Sequence, residues 1–494
     1  IMRKDAGEDF GEVYGFSLVY SGNFKMLLEA ETYGTMRFQA GVNPHNFKWK
    51  LNKGEQFITP ELVMVYSENG LGEMSRTFHR LYRRNLCRGI WRDKVRPILI
   101  NNWEATYFDF NEDKLINICK KASELGIELF VLDDGWFGKR NNDKSSLGDW
   151  FVNTDKLPGS LKGLSEKVDK LGMSFGLWVE PEMISEDSDL FRKHPDWALR
   201  IQGREMHEGR NQYVLDMGRD DVVAYLTDVF TAVLGSADIK YIKWDMNRNI
   251  SDANSAALPP NRQGEVMHRY ILGVYKLMEN LVSTFPNILF EGCSGGAGRN
   301  DPGILYYMPQ NWGSDNTDAV ERMYIQYGAG MVYPSSTICA HVSDVPNHQV
   351  GRTTPMKLRS EVAMSAVMGY EFDLSKLTDD ECYDISEQIK QYKRIRSIVC
   401  FGDLYRLINP FENRSASWMY VSEDKTKAVV FYYNKLAKPN SEIRRLKLKG
   451  LDEGKTYIVD NKEYTGRTLM NFGLYLPEYE KDFESRAWEI EEKK

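Results

Sequence analysis

From Pro97 to about Cys400 short apolar runs alternate with helical stretches, and no other feature restricts the fold of this chain as strongly. The runs are Pro97 to Asn101, Leu129 to Leu132, Phe175 to Val179, Tyr213 to Leu215, Tyr241 to Trp244, Ile288 to Phe290, Gln310 to Gly313 and Ser336 to Ala340, eight in all. Between the first two, Leu115, Ile118, Cys119, Ala122 and Leu125 share one helical face that stops at Gly126. Leu161, Leu164, Val168 and Leu171 repeat the device before Gly172. Each glycine suits the residue just past a helix end, where a left-handed backbone is needed. Alternating strands and helices specify β/α units, and eight of them over about 300 residues fit a closed (β/α)8 barrel better than an open doubly wound sheet. No G-x-G-x-x-G follows the first run, which argues against a dinucleotide-binding fold.

The flanks follow another pattern. Phe24 to Ala30, Thr35 to Ala40 and Phe57 to Tyr66 read as strands separated by turn material, and Met74, Phe78, Leu81 and Tyr82 recur at helical spacing within 72–86. After Cys400, Ser417 to Ser422 and Lys427 to Tyr433 read as a hairpin, followed by Glu442 to Leu448 and Thr456 to Asp460, a small β-sandwich. The expected division is therefore 1–88, the last part of a β-domain with a linker helix; 89–400, the barrel; and 401–494, the sandwich.

Composition narrows the function classes. Lys and Arg number 64 against 71 Asp and Glu, a net charge of −7, the wrong sign for a general nucleic-acid binder. No apolar run reaches the roughly 20 residues that span a bilayer. No leader pattern opens the chain. The six cysteines form no C-x-x-C pair and the seven histidines no H-E-x-x-H, so a zinc site or disulfide framework is not expected and a reducing, cytoplasmic compartment is. Aromatic residues, with 11 Trp, 27 Tyr and 23 Phe, exceed what a core needs and supply flat platforms for sugar faces.

Barrel enzymes carry their chemistry on the C-terminal ends of strands. Here those ends read Trp103 and Glu104, Asp133 and Asp134, Trp178 and Glu180, Asp216, Lys243 and Asp245, Glu291 and Cys293, and Asp315 with Asp318. Helix N-capping accounts for one or two of these, with Asp318 and Asp216 the candidates, but not for a carboxylate ring interleaved with Trp and Lys. Such a ring serves glycoside hydrolysis or a divalent-metal site. Lys243, two residues before Asp245, points to the same side of its strand; its charge repels a metal and keeps Asp245 ionised.

Five stretches carry a resemblance: Leu132-Asp133-Asp134-Gly135-Trp136-Phe137, Gly176 to Glu182, Lys243-Trp244-Asp245-Met246-Asn247-Arg248, Glu291 to Gly296, and Trp312 to Asp318. In this order, and with Gly11 to Phe16 ahead of them, they resemble the α-galactosidases of glycoside hydrolase family 36. The resemblance implies a retaining hydrolase of terminal α-galactosides, of the raffinose or melibiose kind, with Asp245 as nucleophile and Asp315 as acid/base. It further implies that Asp133 and Asp134 hold the 4- and 6-hydroxyls of galactose. Trp178, Arg210 and Lys243 would line the sugar subsite, Trp103 would form an aromatic wall, and Cys293 and Gly295 would lie beside the 2-hydroxyl. Cys293 reads equally as a buried structural thiol. The glycine-rich Gly292 to Gly298 lacks the G-K-[ST] ending of a phosphate loop and reads as a tight turn that lets backbone approach the sugar. No cofactor or metal is implied. Relatives of this kind carry a large N-terminal β-domain, and this chain starts inside its final strands; a homo-oligomer is expected of the intact protein. Transfer of galactose to a sugar acceptor, an α-N-acetylgalactosaminidase, a non-catalytic galactose-binding protein and a metal-dependent barrel enzyme are the alternatives.

Overall fold

The computed structural model describes residues 1–439, 444–476 and 481–493. At the front, β1 (Val13–Val19) pairs antiparallel with β4 (Glu61–Ser67), and β2 (Phe24–Ala30) with β3 (Met36–Val42). The helix Gly70–Leu81 buries Met74 and Phe78 and widens into a π-helical turn at Tyr82–Leu86, so the expected helix over 72–86 is one element with a loosened end.

Eight parallel strands then close into a barrel. They are β5 (Leu99–Asn101), β6 (Leu129–Leu132), β7 (Ser174–Val179), β10 (Ile239–Trp244), β11 (Leu289–Gly292), β12 (Gln310–Trp312), β13 (Ile338–Ser343) and β14 (Val367–Glu371), and β14 pairs back onto β5. The helix Glu112–Leu125 buries all five residues of its predicted face, is capped by Asn111, and ends on left-handed Gly126 (φ 91°).

Two expectations about strands are corrected. Tyr213 to Leu215 is no barrel strand: β9 (Tyr213–Val214) pairs antiparallel with β8 (Met183–Ile184) in an excursion between β7 and β10. The eighth barrel strand is β14, which the apolar pattern hid. The helix Met356–Met364 ends only two residues before it, merging two apolar elements into one run. Its central Gly369 also weakens any strand signal. That glycine is required by packing, because a Cβ there would meet the His341 ring at 2.5 Å.

Beyond the barrel, β15 (Asp403–Ile408), β16 (Ser415–Val421), β17 (Lys427–Asn434), β19 (Thr456–Val459), β20 (Lys462–Thr465) and β22 (Glu484–Glu492) form an antiparallel sheet in the order β15-β16-β17-β22-β19-β20. A second small sheet joins β18 (Arg445–Leu446) to β21 (Leu474–Tyr475); Glu442 and Ile443 of the expected run lie outside the described residues. Among the described residues no helix is long and apolar enough to cross a membrane.

Candidate active site

The C-terminal ends of the barrel strands surround a cavity of about 260 Å³. Eight of the ten predicted site residues line it: Trp103, Asp133, Asp134, Trp178, Arg210, Lys243, Asp245 and Asp315. Cys293 and Gly295 do not. They back Asp245 from outside the cavity, Gly295 with its N–H 3.4 Å from Asp245 Oδ1 and Cys293 as a buried thiol against the same carboxylate.

Asp245 follows β10 and is held by donors on both oxygens. Trp178 Nε1 (3.1 Å) and Asn247 Nδ2 (2.7 Å) donate to Oδ2, and the Met246 N–H (2.8 Å) to Oδ1. Burial works against its charge, but Lys243 and these donors outweigh burial and hold the carboxyl below its usual range. Lys243 also donates to Asp133 Oδ2 (2.9 Å), and Asn101 bonds the same oxygen. Burial opposes the ammonium charge, yet Asp133 and the other anions lift the Lys243 pKa well above normal, so it is a fixed cation.

Asp315 stands on the segment after β12 with Trp312 Nε1 donating to its Oδ1 (2.9 Å). Burial first and the Asp245 charge second raise its pKa. Two carboxyl groups are thus pushed apart, one toward the anion and one toward the acid. Asp134 forms a forked pair with Arg140, whose Nε (2.9 Å) and Nη2 (2.8 Å) both donate; burial nevertheless leaves its pKa raised.

Arg210 reaches the cavity from the excursion that carries β8 and β9. Arg210 and Asn211 both take left-handed backbone (φ 54° and 58°) in a tight turn closed by Gly209 and Gln212, and Arg210 donates to Asn247 Oδ1. Two consecutive left-handed residues define the turn type that reverses a chain most sharply. The turn aims Arg210 back over Asn247, which itself donates to Asp245.

Some of the expected ring stands elsewhere. Asp216 lies off the barrel and accepts from Gly218 N–H (3.2 Å) and Ser255. Asp318 is the N-cap of the helix Ala319–Ala329, accepting from Glu321 N–H (3.0 Å). Glu291 belongs to β11 itself and accepts from Gln310 Nε2 (2.7 Å) away from the cavity. The glycine-rich turn packs against a neighbouring strand-end segment. A Cβ on Gly296 (φ 88°) would come within 2.9 Å of the Asp315 nitrogen, so the close backbone approach is to the segment that carries Asp315.

Several lining residues escaped the sequence: Tyr107, Arg140, Asn247, Trp312, Thr317, His348, Gln349 and Glu371. Asn247 and Trp312 sat inside quoted motifs, whereas Glu371 ends the strand that was missed. His341 Nδ1 lies 2.9 Å from Glu371 Oε2. Burial depresses the His341 pKa to about 3, so the imidazole is neutral. Among the described residues no three His, Cys, Asp or Glu side chains gather as a metal cage.

Comparison with known proteins agrees with this geometry. The family model Melibiase matches residues 56–402, Glycosyl hydrolase family 36 N-terminal domain matches 1–52, and Glycosyl hydrolase family 36 C-terminal domain matches 415–490. Alpha-galactosidase AgaA of Geobacillus stearothermophilus is 55% identical over 491 residues, covering 99% of this chain and 67% of its own length. Alpha-galactosidase Mel36A of Lactobacillus acidophilus is 48% identical, with 99% and 67% covered. A variant of the Geobacillus enzyme solved in complex with raffinose superimposes with a TM-score of 0.99 at 54% identity, covering 99% of this chain and 68% of that one. The chain spans about two thirds of the length of these relatives. With barrel, flanking sheets, motif order and family models in agreement, the chain belongs to glycoside hydrolase family 36 and is a glycoside hydrolase of the α-galactosidase class.

Proposed function

We propose that the protein is a retaining α-galactosidase that removes terminal α-D-galactosyl groups from raffinose- or melibiose-type oligosaccharides by double displacement. The observation that carries this is the opposed charging of two carboxyls in one cavity, Asp245 below its usual range and Asp315 above it. Asp245 attacks the anomeric carbon while Asp315 protonates the departing oxygen; water, deprotonated by Asp315, then releases galactose. Asp133 and Asp134 accept from the 4- and 6-hydroxyls, Arg210 and Lys243 donate to the sugar, and Trp178 and Trp103 wall it. Raffinose bound to a 54%-identical relative supports the substrate class. No cofactor enters this chemistry. We further propose a cytoplasmic, homo-oligomeric enzyme fed by imported oligosaccharides.

The test is the anomeric form of the first galactose released, followed by proton NMR in the first minutes before mutarotation. α-Galactose is expected. β-Galactose as the first product would reject the double displacement.

A further inference from the structure

A second hollow, of about 490 Å³, lies between the barrel and the C-terminal sheet and shares no lining residue with the cavity that holds Asp245. Three cations from three segments line it: Arg352 beyond β13, Arg414 just before β16 and Lys435 just after β17. The last two are neighbours across the hairpin, the Lys435 N–H donating to the Arg414 carbonyl (3.0 Å). Lys435 is only 6% exposed, and its ammonium donates to Tyr324 OH (2.6 Å) and to the Pro410 carbonyl (2.6 Å), both neutral. Among the described residues it has no carboxylate partner, although a lysine this buried is ordinarily paired with one. An ammonium carries three N–H donors, so one of them remains for a further acceptor. The exposed Arg414 side chain makes no hydrogen bond or ion pair among the described residues. Arg352 differs, being held by Asp318 and, at 3.6 Å, by Glu321. The one acid among the lining residues is the exposed Glu412. The rest of the wall is largely aromatic. Phe411 is 65% exposed and meets the Tyr324 ring near edge-on, with centroids 5.1 Å apart.

We propose that this hollow binds a phosphorylated hexose, with the phosphate between Arg414 and Lys435 and the sugar ring against Phe411 and Tyr324. A buried charge without a counter-ion is costly, and an anion seated beside Lys435 removes that cost. A guanidinium fork and an ammonium point charge together satisfy the terminal oxygens of a phosphomonoester, whose charge of about −2 at neutral pH offsets both. A sugar carboxylate, with a single charge, leaves one of the two cations uncompensated. Inorganic phosphate answers the cations but not the rest of the hollow, whose volume is that of a small-molecule site and whose exposed aromatic rings offer an apolar face to cover. The hollow lies outside the catalytic cavity, so the inference does not depend on the hydrolytic reading.

Isothermal titration of the whole chain with glucose 6-phosphate tests this, with excess galactose present to keep the catalytic cavity occupied, and with glucose, glucuronate and inorganic phosphate as the other titrants. Glucose 6-phosphate should bind once per chain with a Kd of about 1 mM or tighter, and each of the other three at least about tenfold more weakly. Arg414→Ala and Lys435→Met should each weaken glucose 6-phosphate at least about tenfold, the effect of losing one charge-assisted hydrogen bond, while Arg414→Ala leaves raffinose hydrolysis unchanged. Absence of saturable binding, equal affinity for glucose or for inorganic phosphate, or an affinity that Arg414→Ala does not alter would overturn the site. Arg414 is exposed, so its variant decides the matter even if the buried Lys435 variant fails to fold.

Discussion

The Asp245 carboxylate carries more donors than any other lining acid, and its charge is set chiefly by one ammonium group two residues away. Asp245→Ala is expected to cut kcat at least about a thousandfold while the fold persists; added azide should then yield β-galactosyl azide, since a small anion fits the vacated space. Near wild-type turnover would sink the assignment. Lys243 lowers the pKa of both Asp245 and Asp315. The proposed double displacement needs the first ionised and the second protonated, so under it the acidic limb of the pH profile follows Asp245 and the alkaline limb Asp315. Lys243→Met therefore moves both limbs to higher pH and lowers the plateau; a profile on raffinose whose limbs stay in place would contradict the coupling. Residues such as Asp133 and Asp245 were readable from sequence because each directly follows an apolar run that is a barrel strand, whereas Glu291 and Asp216 also follow apolar runs and do not reach the cavity. Arg140, His348 and Gln349 were not readable, since their places depend on how long segments fold back over the cavity.

At the level of elements, the turn Ser294 to Gly298 is held against the segment that carries Asp315. Gly296→Ala would place a Cβ 2.9 Å from the Asp315 nitrogen and 3.0 Å from Ser314 Cα, in a backbone conformation that costs an L-residue about 1–2 kcal/mol. The neighbouring segment must give, so raffinose turnover should fall about tenfold or more, as displaced catalytic groups lose rate steeply, with little change in the thermal midpoint. Unaltered turnover would mean that Asp315 is not positioned by this contact. The barrel was legible because its helices announce themselves through apolar faces that stop at a glycine, as at Gly126. Two strands were misassigned for opposite reasons. Tyr213 to Leu215 has the composition of a barrel strand but pairs with β8 and bridges Ala198 instead of joining the barrel, and Val367 to Glu371 is a barrel strand whose apolar pattern is interrupted by the glycine its neighbour His341 demands.

At the level of the whole molecule, Arg406 on β15 joins three regions. Its guanidinium donates to Glu8 (3.0 Å), to Ser75 Oγ (2.9 Å) on the helix Gly70–Leu81 and to the Gly330 carbonyl (3.1 Å) beside the barrel. The Arg406 side chain is 2% exposed and that of Glu8 24%. Arg406→Met should cost about 3 kcal/mol, the lower end for breaking a buried pair because Glu8 keeps some water. Glu8→Gln in the same chain should restore part of the loss, and chemical denaturation followed by tryptophan fluorescence would measure both. A cost under about 0.5 kcal/mol, the size of a surface change, would remove the joint. The closure of the barrel has a consequence for how activity comes into being. β5 pairs with β14 through Leu99 and Gly369, and the lining residues run from Trp103 to Glu371. Contacts so distant in sequence are slow to form. On the ribosome the cavity cannot exist until the last strand has emerged and found the first, so every nascent chain is inert until that moment, and the appearance of hydrolysis during synthesis or refolding is a clock for the final pairing.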